Sequence, residues 1–168
     1  KMLSLHTDFM DGSLSGSFTY QSLANSILAQ LHHYLPSFCY SHQHDHVVAH
    51  KSICTGSLKI YDTRPLRELL LIPIDISKTA SVETVINDHT ETFYVSLDVP
   101  NLNYDGNAIK GINLSCQPQG EQLVVMLGGT FQSNPTTAVT ANLTAHAHDD
   151  NVWLGATWNS NAAGLFEG

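Results

Sequence analysis

The chain has 168 residues, with seven basic and fifteen acidic side chains, a formal net charge of −8 and a pI of about 5.5. Proteins that bind nucleic acid through phosphate contacts carry a basic surface, so this charge balance argues against a nucleic-acid partner. Hydrophobic residues make up 42% of the chain, which is enough to bury roughly 70% of the unfolded surface of a chain this long. We therefore expect one domain over residues 1–168.

The low share of charged side chains indicates where the protein works. Only 13% of the residues are charged, about half the usual share, and Ser, Thr, Asn and Gln take their place. This composition predicts an extracellular, secreted or virion-surface location. Two glycosylation sequons, at Asn113 and Asn142, agree with that prediction. The longest apolar run covers residues 69–74, far fewer than the ~20 residues that cross a bilayer, so we expect no membrane span.

Three cysteines give an odd count: Cys39, Cys54 and Cys116. Cys39 and Cys54 could close a loop by a disulfide and leave Cys116 free. The alternative is three reduced, buried thiols that pack as small hydrophobic residues.

The N-terminal part of the chain predicts two short strands and one helix. Residues 2–6 form the first strand, Asp11-Gly12 a turn, and a polar strand then runs to Tyr20. The apolar residues that follow recur at helical spacing, and Pro36 ends the run: Leu23, Ile27, Leu28, Leu31 and Leu35. This is the only helix that the sequence predicts.

After the helix, apolar residues alternate with period 2, as they do in strands with one buried face. A run over residues 38–50 is followed by predicted strands at 52–61, 67–76, 81–86 (or one helical turn there), 92–99, 107–116 and 122–127. A hairpin from Thr137 to Trp158, with its turn at residues 149–151, closes the chain. The fold class is therefore all-β: an antiparallel β-sandwich or jelly-roll-like domain with one short amphipathic helix near the N-terminus.

Histidines are the unusual feature of the composition, because ten are present and several alternate along strands. His42, His44 and His46 lie on one face of a predicted strand, and His146 and His148 lie on the solvent face of another. Two adjacent strands of this kind could supply imidazole ligands to Zn, Cu or Fe.

Two alternatives remain for these histidines. A polar strand can simply present imidazoles to water or to a partner protein. The same histidines can also act as a proton switch, in which several imidazoles become charged as the pH falls through about 6.5.

The last strand offers candidate binding residues. Trp153 and Trp158 are five positions apart, so they point to opposite faces; we expect one in the core and the other at a protein or carbohydrate interface. The tail over residues 159–168 lacks periodicity, and it would either dock on a neighbouring subunit or fold back onto the sandwich. Arg64 and Arg67 could bind a carboxylate or a phosphate, or lie in a solvated loop.

Two functions follow from these patterns. No phosphate-binding glycine loop, dinucleotide fingerprint or nucleophile elbow is present in the sequence. We therefore predict an extracellular or virion-surface binding or assembly module, structural or for attachment, that forms homo-oligomers and binds other protein subunits or a surface glycan. The sequence favours a protein that is not an enzyme but does not decide this point. The alternative is a metal-dependent enzyme on a small β-barrel, in which the histidine cluster holds a metal that activates water or dioxygen.

Overall fold

A computed structural model describes residues 1–37, 51–71, 73–134 and 137–161. Ten strands and two helices lie in this part of the chain. The strands are β1 (Met2–His6), β2 (Met10–Ser17), β3 (Ile53–Ile60), β4 (Ile74–Ile76), β5 (Ala80–Asn87), β6 (Thr92–Tyr104), β7 (Asn107–Gln119), β8 (Gln122–Asn134), β9 (Thr137–His148) and β10 (Asn151–Ser160), and the helices are α1 (Tyr20–Tyr34) and α2 (Arg64–Leu70).

All described strands belong to one antiparallel sheet. Their order is β1-β2-β3-β5-β6-β7-β8-β9-β10, and the short β4 pairs with β6 beside this path. The prediction of an all-β fold with a helix near the N-terminus is confirmed. The finer prediction of a sandwich or jelly roll is not confirmed. Neighbouring strands follow chain order, apart from β4, whereas a jelly roll places strands from distant parts of the chain side by side.

The sheet has one apolar and one polar face, which the register makes explicit because directly paired residues share a face. One row across the sheet is almost entirely aliphatic: Leu5, Gly12, Leu58, Val82, Leu97, Leu114, Leu127, Leu143 and Ala156. The next row, on the opposite face, is mostly hydroxyl-bearing: Ser4, Ser13, Ser57, Glu83, Ser96, Ser115, Met126, Thr144 and Gly155. We call these the apolar face and the polar face.

Helix α1 covers one end of the apolar face. Thr19 caps its first turn in a reciprocal capping box with Ser22, and the helix ends two residues before Pro36. Its 15 residues span about 22 Å, close to the ~24 Å that separates β3 from β9 across five strand spacings. The helix therefore lies across the strands, and one core cluster joins α1 to five of them: Phe18, Tyr34, Cys54, Ile86, Phe93, Leu123 and Ala147.

Polar contacts fix both ends of α1 to the sheet. Near its start, the Asp88 carboxylate accepts hydrogen bonds from the Ser26 hydroxyl and the Ser52 backbone N–H, both at 2.6 Å. Just beyond its end, the Asp150 carboxylate accepts hydrogen bonds from the backbone N–H and hydroxyl of Ser37, at 2.7 and 2.8 Å. The helix is thus tied to the β5–β6 turn at one end and to the β9–β10 turn at the other.

The predicted strand over residues 67–76 is wrong, because residues 67–70 belong to α2 and only Ile74–Ile76 is a strand. Pro65 in the first turn of α2 supplies a φ suited to helix initiation. The helix ends at Leu71, which has a left-handed φ of 55°. The apolar run alone does not distinguish a short helix from a strand. Neither described helix is long and apolar enough to cross a membrane.

The predicted turn at Asp11-Gly12 is also wrong. Asp11 pairs with His6 inside the β1–β2 hairpin, and the turn lies between them instead. There the Thr7 hydroxyl accepts the Met10 N–H at 2.9 Å and donates to the Met10 carbonyl at 3.0 Å. A threonine side chain therefore closes this turn in place of the Asp-Gly pair.

Candidate functional site

Within the described part of the chain, no helix covers the apolar face at its β8–β10 corner. Six apolar side chains there are between 37% and 81% exposed, and all project from the apolar face: Leu127, Phe131, Leu143, Val152, Leu154 and Trp158. We call this group the C-terminal patch. The strands that carry it, Gln122–Asn134, Thr137–His148 and Asn151–Ser160, contain no Asp, Glu, Lys or Arg. Contiguous apolar surface of this kind usually marks an interaction site.

Strand β10 adds an open backbone edge to the patch. In the described part of the chain it pairs only with β9, over ten residues in unbroken register. Proteins commonly protect such edges with Lys, Pro, a bulge or a very short strand. The sequence of β10 has no proline and no charged residue. This edge is therefore competent to pair with another strand.

The two tryptophans lie on β10 as predicted, on opposite faces, but neither is in the core. Trp153 is 53% exposed on the polar face and Trp158 is 45% exposed on the apolar face. The expectation that one of them is buried is wrong. An edge strand has neighbours on one side only, and neither described helix covers this part of the sheet.

Of the predicted metal ligands, the structure describes only His146 and His148. Both project from the polar face of β9. His146 Nδ1 lies 3.0 Å from the Gln122 side-chain oxygen, and His148 lies 3.7 Å from Glu121 and 3.5 Å from Asp149. Among the described residues no group of three potential ligands is close enough to hold a metal ion.

The other three predicted ligands, His42, His44 and His46, lie outside the described residues. The Zn, Cu or Fe site therefore stays a prediction, as does the proton switch. The predicted docking of the tail also falls mostly outside, since only residues 159–161 of it are described and two of these end β10.

The two sequon asparagines lie side by side on the polar face. Asn113 and Asn142 are both exposed and both pair with Gly128 on the strand between them. A Cβ atom at Gly128 would lie 2.8 Å from the Asn142 side-chain oxygen and 3.0 Å from that of Asn113. The glycine therefore leaves the space that both amides occupy. Glycosylation at these positions stays a prediction.

The described cysteines do not form a reactive site. Cys54 and Cys116 are free and belong to, or pack against, the core cluster beneath α1. Burial raises the pKa of both thiols, which disfavours the nucleophilic thiolate. Their surroundings are those of small hydrophobic residues, and Cys39 lies outside the described residues.

A hydrogen-bonded group lies on the polar face near β1. The Asp11 carboxylate accepts a hydrogen bond from the Tyr61 hydroxyl at 2.7 Å and also contacts His6. The Tyr61 hydrogen bond, followed by that of His6, lowers the pKa of Asp11. All three side chains are substantially exposed or at the surface, so we assign this group to local stabilisation of the hairpin.

The aliphatic members of the C-terminal patch are not among the site residues that the sequence predicts. The signal was nevertheless present. A stretch of 35 strand positions in β8, β9 and β10 that is rich in apolar residues and lacks Asp, Glu, Lys and Arg is unusual in a chain with a net charge of −8. Comparisons with protein-family models, curated proteins and solved structures give no match.

Proposed function

We propose that this protein is an extracellular or virion-surface assembly module that binds a second copy of itself through the C-terminal patch and the edge of β10. One observation carries the proposal: an uncharged, exposed apolar surface is continuous with an unprotected strand edge. The low share of charged residues and the two sequons support the extracellular or virion-surface location. The proposed activity is binding, and no chemical step is assigned.

A second copy fits this surface better than a charged partner would. Each chain carries a net charge of −8, so two copies repel unless their contact avoids the carboxylates. Strands β8, β9 and β10 carry no carboxylate side chain, so a contact through these strands avoids that repulsion. Two β10 edges that pair antiparallel around a two-fold axis would join the apolar faces of both copies and satisfy the free backbone groups.

The contact is tested by placing a charge on the patch. Leu154 is 81% exposed, so Leu154→Lys costs the isolated chain little but puts an ammonium into the proposed interface. We expect size-exclusion chromatography with light scattering to give a dimer, or a larger closed assembly, for the unmodified protein and a monomer for Leu154→Lys. The dissociation constant of the assembly should rise at least tenfold, because a buried unpaired charge is strongly unfavourable.

A matched control is available in α2. Leu69 is 78% exposed and lies away from β10, so Leu69→Lys makes the same chemical change elsewhere and should leave assembly unchanged. An unmodified protein that remains monomeric up to about 0.3 mM contradicts the proposal. So does a Leu154→Lys variant that assembles as the unmodified protein does.

The alternative metal-dependent enzyme rests on histidines of which the larger part lies outside the described residues. Its test is metal analysis of tag-free protein before and after chelation. Near-stoichiometric Zn, Cu or Fe that is lost in His44→Ala would support that alternative. A metal-free protein that folds and assembles would support the binding module.

A further inference from the structure

A second feature, independent of the proposed assembly, lies under α2. The helix does not pack flush against the sheet, and a cavity of about 230 Å³ lies between α2, β4 and the end of the apolar face. Its wall is almost entirely aliphatic and includes Leu66 from the helix, Ile74 and Ile76 from β4, and Leu97 and Val99 from β6. Cavities with apolar walls stay dry and bind small apolar molecules.

Among the described residues, one charged side chain lines this cavity. Arg67 belongs to the wall and is exposed, so this residue lies at the edge of the cavity. Its neighbour Arg64 is held by the Asp62 carboxylate through contacts of 2.6 to 3.1 Å. Arg67 makes no ion pair within 4.0 Å in the described part of the chain.

We infer that this cavity binds the aliphatic tail of a medium-chain carboxylate, with Arg67 pairing to the carboxylate. The tail is recognised by the aliphatic wall and the head by a guanidinium, which suits the planar carboxylate. A cavity of about 150 Å³ holds the six carbons of benzene, so 230 Å³ holds about nine carbons. The fitting class is an unbranched acid of about eight to ten carbons.

Acidic groups near the mouth do not prevent this binding. Asp62 is neutralised by Arg64, and its pKa is lowered chiefly by hydrogen bonds from that residue. Glu68 and Asp75 are exposed, where solvent screens their repulsion of the ligand. Arg67 thus remains the cation available to an anionic head group at this position.

The first experiment is calorimetric titration of the whole chain with hexanoate, octanoate, decanoate and dodecanoate, each below its micelle concentration. We expect one site per chain. Affinity should increase about fourfold per added methylene, the fold-change that corresponds to ~0.8 kcal/mol per buried CH₂, and should level off near nine carbons. Absence of binding at millimolar octanoate, or affinity that grows without levelling off, overturns the inference.

Variants separate the head from the tail. Arg67→Gln should weaken octanoate binding about fivefold to tenfold and leave 1-octanol binding unchanged, because only the acid uses the charge. Val99→Phe should abolish binding of both by filling the cavity, and Ala80→Val is the smaller replacement if Val99→Phe does not fold. Equal octanoate affinity in Arg67→Gln overturns the carboxylate assignment. Unchanged binding in a folded cavity-filling variant overturns the location.

Octanoate binding should not depend on whether the protein assembles. Leu154→Lys changes the C-terminal patch and does not touch the cavity wall, so this variant should bind octanoate as the unmodified protein does. Loss of binding in Leu154→Lys would place the ligand on the patch and would contradict the site under α2.

Discussion

At the scale of single residues, the Asp88 side chain joins α1 to the β5–β6 turn. Its carboxylate accepts hydrogen bonds from two donors, and one donor is the backbone N–H of Ser52, a residue with no exposed surface. The Ser52 hydroxyl continues the network to Ser22 at 3.0 Å. Removal of the carboxylate would leave a buried N–H without an acceptor, which is the costly case for a hydrogen bond.

We therefore expect Asp88→Ala to lower the free energy of unfolding by about 1–3 kcal/mol, measured by urea denaturation. Asp88→Asn should recover part of the loss, because its amide oxygen can still accept one bond. The matched control is Asp98→Ala on the exposed polar face, with an expected change within about 0.5 kcal/mol. Equal effects of the Ala substitutions at positions 88 and 98 would contradict the role assigned to the network.

Asp11 gives a prediction about pH. Hydrogen bonds from Tyr61 and His6 lower its pKa below the ordinary 3.8, so the folded state favours the ionised carboxylate. Stabilisation from a lowered carboxyl pKa is fully present above the unfolded pKa and is lost as the pH falls through the folded pKa. The β1–β2 hairpin should accordingly weaken in acid.

The measurement is the urea midpoint of the unmodified protein and of Asp11→Asn at about pH 6 and about pH 2.5. The amide that Asp11→Asn introduces does not ionise in this range, so the advantage of the unmodified protein should be largest at the higher pH and shrink at the lower one. If the two urea midpoints differ by the same amount at both pH values, the charge of the Asp11 carboxylate does not stabilise the hairpin.

At the scale of elements, α2 is held in place by Thr63. The hydroxyl of this buried residue accepts the Ile76 N–H at 3.1 Å and donates to the Ile74 carbonyl at 3.2 Å, which ties the start of the helix to β4. Thr63→Val keeps the shape and removes both bonds. We expect amide hydrogen exchange in residues 64–70 and 74–76 to accelerate about tenfold, with β8, β9 and β10 unaffected.

Thr63→Ser is the matched control, because it keeps the hydroxyl and should exchange as the unmodified protein does. Acceleration that extends over the whole sheet in Thr63→Val would mean that the substitution destabilises the entire fold. That outcome would contradict the local role given to the hydroxyl.

Elements could be predicted from the sequence where a single signal dominates. Helix α1 has an apolar stripe and Pro36 as a stop, and the β9–β10 hairpin has strict alternation with a turn at Asp149 and Asp150, so both were predictable. The run over residues 69–74 is apolar throughout, and such a run does not distinguish helix from strand. Only Pro65 indicated the helix that the structure contains.

At the scale of the whole molecule, the arrangement of the strands could not be predicted from the sequence. Alternation of apolar and polar residues indicates that one face of a strand is apolar, but it does not indicate which element packs against that face. A sandwich would cover it with a second sheet, whereas among the described residues α1 and α2 cover two regions and the C-terminal patch is exposed. The candidate site could not be predicted for the same reason. In the sequence, Leu127 and Leu143 look like core residues, and only the structure shows that no described helix covers them.

The attachment of α1 to the β9–β10 turn has a consequence for how the chain folds during synthesis. The helix ends at Tyr34, but its contact at Asp150 lies 116 residues later, and β9 below it is nearly as late. At ~5–20 residues per second, a ribosome needs about 6 to 23 s to cover that distance. For that time the leucine stripe of α1 lacks part of its packing surface, so we expect chaperones that bind apolar segments to engage this helix while the chain is still attached to the ribosome.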